Sequence, residues 1–168
     1  MALPSEKLIT INDRGARAAT TFGSLSAGGG NMVFIKKLTA SADANLTFVD
    51  GASSVVLDST YKEYLFTFNN IHPATDDSKL LVNFRDGGTD YDATKTTTFF
   101  RAQHSEGGAN GNLSYRTDDD LAQSTAAQPL TMDIGNANDE SASGEMILYN
   151  PSSTTFVKHF IANANCVY

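Results

Sequence analysis

The chain has 168 residues, with 12 Lys and Arg against 19 Asp and Glu, a formal net charge of −7. Charged residues make up 18% and hydrophobic ones 40%, a mixture too apolar for disorder driven by charge repulsion. The acidic balance argues against nucleic acid as a partner, because phosphate binding calls for clustered Lys and Arg. No apolar run approaches the roughly 20 residues that span a bilayer, and residues 1–10 lack the apolar core of a secretory signal. With Cys166 as the one cysteine there is no internal disulfide, so the interior must hold by packing, within the chain or against partner chains.

Residues 1–31 are small and polar and end in Ala27-Gly28-Gly29-Gly30-Asn31. A glycine triplet makes no core and reads as a hinge. Two short β-like runs, 7–11 and 18–22, precede it. The expectation is an N-terminal arm over 1–31 that attaches to its own domain or to a neighbouring subunit. The alternative is that these runs are ordinary strands of the same fold. The main domain then covers 32–168, opening on Met32-Val33-Phe34-Ile35.

Within that domain the apolar period is two, the signature of strands with one buried face. Leu46 and Phe48 alternate with Thr47 and Val49, ahead of a turn at Asp50-Gly51. Tyr64, Phe66 and Phe68 alternate with Leu65, Thr67 and Asn69. Leu80, Val82 and Phe84 alternate with Leu81, Asn83 and Arg85. Residues 95–101 are rich in Thr and Phe, which favour strands. A turn over Gly107-Gly108-Ala109-Asn110-Gly111 follows. Residues 121–129, after Asp118-Asp119-Asp120, suit a short helical turn; no window supports a full helix. Strand patterning returns at 145–149 and 154–161, divided by Asn150-Pro151-Ser152-Ser153. In the second of these, Phe156 and Phe160 share a face with Lys158, and Val157, His159 and Ile161 take the other. Many short strands with Gly- and Asn-rich turns predict an all-β, antiparallel β-sandwich of jelly-roll type. The chain ends on the strand-like residues 162–168 without a polar tail. Either a neighbour covers that strand or the sequence stops short of the biological one, and both readings suit an assembly component.

The candidate chemical sites each have a plainer structural explanation. Asp86, Asp90 and Asp92 lie in a Gly-rich loop, and oxygen ligands in a tight loop suit a hard cation. The spacing is not that of an EF-hand, and a hairpin turn between 80–85 and 95–101 needs the same residues. Asp76-Asp77 and Asp118-Asp119-Asp120 read as solvated loops or helix starts. His72, His104 and His159 have no zinc-like spacing. His72 precedes Pro73 and fits a strand end, His104 sits in a polar loop, and His159 packs on a strand. Cys166 reads as a small buried hydrophobe. No G-x-S-x-G, phosphate loop or dinucleotide motif occurs. Asn45-Leu46-Thr47 and Asn112-Leu113-Ser114 match the glycan sequon, which means little without a secretory signal. Tyr61, Tyr91 and Tyr115 stand near turns, where Tyr packs at a rim or stacks on sugars. The reading is therefore no enzyme, with no catalytic, metal or cofactor-binding residue and no cofactor. A carbohydrate-binding or depolymerising module is the competing class. It requires a groove with two carboxylates about 5–10 Å apart, and Asp90, Asp92, Asp118 and Glu106 are its candidates.

Several long strings are familiar. They are Asn69-Asn70-Ile71-His72-Pro73-Ala74-Thr75-Asp76, Tyr61-Lys62-Glu63-Tyr64-Leu65-Phe66-Thr67-Phe68, Thr94-Lys95-Thr96-Thr97-Thr98-Phe99-Phe100 and residues 150–160. With Ile11-Asn12-Asp13-Arg14-Gly15-Ala16-Arg17 and residues 32–38, the chain resembles a family of virion structural proteins from tailed phages of marine bacteria, including cyanophages and pelagiphages. The resemblance covers most of the chain and carries no catalytic signature. It implies a virion location and a tail-fibre or capsid-decoration role. The implied partners are other virion proteins, further copies of the chain as in a trimer, and a host-surface glycan met through loops such as 107–112. Family members commonly run further at the C-terminus by a strand or two.

Overall fold

The computed structural model describes residues 32–167. The arm expected over 1–31, with its two strands and its hinge, lies outside the described residues, as does Tyr168. The chain divides into two compact units, Met1–Ile35 and Lys36–Tyr168, and every strand among the described residues belongs to the second. These residues form no helix, and their strands pair antiparallel. The fold is all-β.

The main sheet has three strands: β1 (Glu63–Ile71), β6 (Ala142–Tyr149) and β7 (His159–Cys166), in the order β1-β6-β7. Alternation decides its two faces. Tyr64, Phe66 and Phe68 turn one way, together with Ala142, Met146, Leu148 and Phe160. Tyr64, Ala142, Met146 and Leu148 are buried there. Phe48 packs edge-on against Phe66 at 5.5 Å, and Phe84 lies 5.2 Å from Phe160. Tyr64 reconciles a buried ring with a polar tip by donating its hydroxyl to the Asp58 carbonyl at 2.9 Å. Gly144 sits where β6 and β7 approach closely. A Cβ there would stand 2.4 Å from the Asn163 carbonyl oxygen and 2.7 Å from Ala164 Cα, so no other residue fits without the strands parting.

Two small sheets complete the described part. β2 (Leu81–Val82) pairs with β5 (Gln128–Pro129), and β3 (Phe100–Gln103) pairs with β4 (Asn112–Tyr115). The β3–β4 hairpin closes where the Gly-rich turn predicts. Ser105 N–H donates to the Ala109 carbonyl at 2.8 Å, Gly108 N–H donates to the Ser105 carbonyl at 2.9 Å, and Asn110 adopts φ +58°, a conformation Asn tolerates.

Several local expectations are corrected. Residues 46–49 form no strand. Residues 121–129 form no helical turn, because Thr97 Oγ1 accepts the Leu121 N–H at 2.9 Å and Thr96 Oγ1 the Gln123 N–H at 3.1 Å. These side-chain bonds tie the segment to residues 96–97 in place of an internal helical bond, and it bends at Gln123, with φ +49°. The same hydroxyls keep 95–99 out of a ladder, apart from one bridge between Lys95 and Ser124. Residues 80–85 and 95–101 do not form a hairpin across the Asp86 to Asp92 loop. That loop is closed by Ala93 N–H donating to the Phe84 carbonyl at 3.0 Å, while its flanks pair with β5 and β4. The last strand begins at His159, not at residue 154. Ser153 Oγ accepts the N–H groups of Thr155 and Phe156 at 3.3 and 3.1 Å, which folds 153–156 into the turn and leaves Phe156 and Val157 outside the strand.

Candidate functional site

Among the described residues, the face of the main sheet opposite the core stays open. The register sets Thr67 beside Glu145 and Glu145 beside Asn163, with Ser143 beside Asn165 in the next row. Asn69 completes this polar floor. Leu65, Ile147 and Ile161 form a neighbouring apolar row. The floor meets Phe100, Ala102 and Leu113 of the β3–β4 hairpin in a shallow cleft of about 780 Å³. Phe100 is 68% exposed and Leu113 76%. Phe100 packs edge-on against Tyr115 at 5.2 Å. Tyr115 in turn donates its hydroxyl to Asp120, and that bond holds the phenol above its usual range. Amide, hydroxyl and carboxylate groups thus face an aromatic wall across an open groove.

The other face of the hairpin carries Arg101 opposite Ser114. The Arg101 Nε and the Ser114 Oγ are buried and have no hydrogen-bond partner among the described residues.

Two buried charges lie elsewhere. Asp119 is 2% exposed, although its neighbourhood reads as a solvated loop in the sequence. It accepts from Lys79 Nζ at 2.6 Å and from Arg116 Nε at 3.4 Å. Burial alone raises its pKa, and the two cations together outweigh burial and hold it below the ordinary carboxylate value. Lys95 is 7% exposed and donates to Asn83 Oδ1 and to the Ala93 carbonyl. Burial lowers its pKa against the opposing pull of Asp92 and Asp86.

The sequence candidates are scattered. Asp90 and Asp92 lie in the loop after Phe84, where the Arg85 guanidinium sits 5.5 Å over the Tyr91 ring. Glu106 is at the β3–β4 tip, and Asp118 follows β4. None of the four lines the cleft; among the described residues its one carboxylate is Glu145, which is not the pair that sugar cleavage needs. Among the described residues no group of three or more His, Cys, Asp and Glu converges on a common point. Asp76 accepts the Asn136 N–H at 3.2 Å. His72 Nδ1 lies 2.7 Å from the Glu140 carbonyl at the end of β1, and His104 Nδ1 lies 3.0 Å from the Ser105 carbonyl. His159 stands opposite Tyr149 at the exposed start of β7. Cys166 is half-buried rather than enclosed, and burial raises its thiol pKa. Tyr61 packs on Tyr64 at 5.9 Å.

The cleft residues Glu145, Asn163, Asn165, Phe100 and Leu113 have no local signature. Glu145, Asn163 and Asn165 are brought together by strand register, and Phe100 and Leu113 by the approach of the separate β3–β4 sheet. No family model, no curated protein and no solved structure matches this chain, so its reading rests on its own residues.

Proposed function

We propose that the chain is a non-enzymatic structural component of a tailed-phage virion, a jelly-roll-like β-sandwich held in the particle by subunit contacts. One observation carries the reading. Among the described residues the buried apolar side chains are Val55, Tyr64, Ile134, Ala142, Met146 and Leu148, while Leu65, Leu81, Phe100, Leu113, Phe156, Val157 and Ile161 are exposed. A unit of this size with so thin a core leaves apolar surface for neighbours to cover. The particle itself is what the resemblance of the long strings to virion structural proteins implies. Tail-fibre and capsid-decoration positions both suit such a unit.

The test is to locate the protein in purified virions by gold-labelled antibody and to delete residues 1–31. Label on shell or tail supports the reading, as does a truncated chain that folds but is lost from particles. Virions free of the chain overturn it.

The cleft favours a second reading, a receptor-binding module. Amides beside an exposed aromatic ring suit a neutral saccharide of the host surface. Binding of the isolated chain to a glycan array, lost in Asn163→Ala with Asn165→Ala, supports that reading.

A further inference from the structure

We infer that β7 is a self-pairing edge, through which two copies of this chain join their three-stranded sheets antiparallel about a two-fold axis at Asn163. This deepens the reading of an assembly component and rests on it. Among the described residues nothing pairs with the outer side of β7.

The backbone fixes which groups are available. Val167 N–H donates to the Ser141 carbonyl at 3.1 Å, continuing the register in which Cys166 faces Ala142. Hydrogen-bonded and non-bonded pairs alternate along an antiparallel ladder. Asn165, Asn163, Ile161 and His159 therefore bond to β6. Phe160, Ala162, Ala164 and Cys166 turn their amides and carbonyls outward.

Proteins blunt such edges with Lys, Pro or a bulge. The other edge of the sheet has one: β1 is bulged between Phe68 and Ile71, with Asn70 at φ +51°. β7 reads His-Phe-Ile-Ala-Asn-Ala-Asn-Cys, with no bulge, proline, lysine or acid. An axis at Asn163 engages all four outward residues, setting Ala162 against Ala164 and Phe160 against Cys166 of the second copy. The small side chains of the alanines let the strands meet.

Charge argues for a second copy as the occupant. Lys158 precedes β7, and Asp133 approaches its other end, where its carbonyl accepts from Cys166 Sγ at 3.9 Å. The Asp133 side chain is 44% exposed, with only a loose 3.9 Å approach to Lys79 Nζ, and Lys158 Nζ donates to the Ser153 and Phe156 carbonyls, contacts that the pairing would exchange. Antiparallel pairing brings each Lys158 to the Asp133 end of the other strand, two opposite-charge contacts from one symmetric interface.

The test uses the full chain in sedimentation and cross-linking. Wild type is expected to dimerise in a concentration-dependent way. Ala162→Pro removes an N–H that points away from β6, so the β6–β7 ladder survives, while dimer affinity falls at least tenfold. Asn163→Cys in a Cys166→Ala background places two thiols across the axis at a non-hydrogen-bonded pair. It should form a disulfide-linked dimer on mild oxidation, and Glu145→Cys, one strand inward, should not. Should Ala162→Pro fail to fold, the cross-link decides. A wild type that stays monomeric, or an oligomer that Ala162→Pro leaves intact and that Asn163→Cys does not cross-link, overturns the edge pairing. The latter result, or detection of the chain in virions, leaves the assembly reading standing, so the two fail separately.

Discussion

Lys79 and Asp119, forty positions apart in the chain, meet with Nζ 2.6 Å from Oδ1, and the carboxylate is almost wholly shielded from water. The pair joins the strand that enters the β2–β5 sheet to the loop that leaves β4. Arg116 closes the same carboxylate from its own loop, and Gln128 Nε2 donates to the Asp119 carbonyl at 2.9 Å.

Removing one partner of a shielded ion pair leaves the other uncompensated, at a cost of about 3 kcal/mol. Asp119→Ala is expected to lose about that much in urea denaturation at pH 7. The pH dependence follows from the lowered pKa. Stability from Asp119 is fully present above its unfolded value of 3.8 and is lost as pH falls through its lower folded value. Wild type should therefore lose stability below pH 3.8 more steeply than Asp119→Asn.

Lys95 gives a slope of the same sign in an alkaline window, although here burial disfavours the charged form. Its folded pKa lies below the unfolded 10.5, so between the two values the unfolded chain holds more protons and stability climbs with pH. Lys95→Met should abolish that rise. Denaturation midpoints of the two proteins at pH 8 and pH 10 measure it.

Gly144→Ala tests the close approach of β6 and β7. The added methyl meets backbone atoms of the neighbouring strand, which cannot yield as a flexible side chain would. The expected loss is about 2 kcal/mol or more, read as a lowered melting temperature. Alanine at Gly111, where an added Cβ meets nothing, should be nearly silent.

Leu113 separates interface from core. It is exposed and lies on the wall of the cleft. Leu113→Asp should leave chemical stability within about 0.5 kcal/mol of wild type and yet reduce incorporation into particles. A variant that folds and incorporates normally would show that the hairpin face is not covered there.

Legibility in the sequence followed the range of the interactions. β1 announces itself because one face of Glu63–Ile71 is packed and the other wet, which writes the period of two directly into the residues. The β3–β4 turn is legible because Gly108 and Asn110 supply conformations that few other residues accept. The Thr-rich run before β3 misleads, since strand propensity does not reveal that Thr96 and Thr97 spend their hydroxyls on 121–123. Asp119 cannot be recognised as buried from Asp118-Asp119-Asp120, because its partner Lys79 is remote in sequence. The cleft was invisible for the same reason: Thr67, Glu145 and Asn163 become neighbours only once three strands take their register.

That sheet also sets an order of events during synthesis. β6 and β7 are joined by residues 150–158 and can zip as soon as both emerge. β1 needs β6, and Ile71 meets Ala142 only after roughly 70 further residues have been translated. Until then Tyr64, Phe66 and Phe68 travel as an unpaired aromatic strand beside the ribosome, a natural target for holding chaperones, and yield in a heterologous host should depend on how quickly residues 142–149 are delivered.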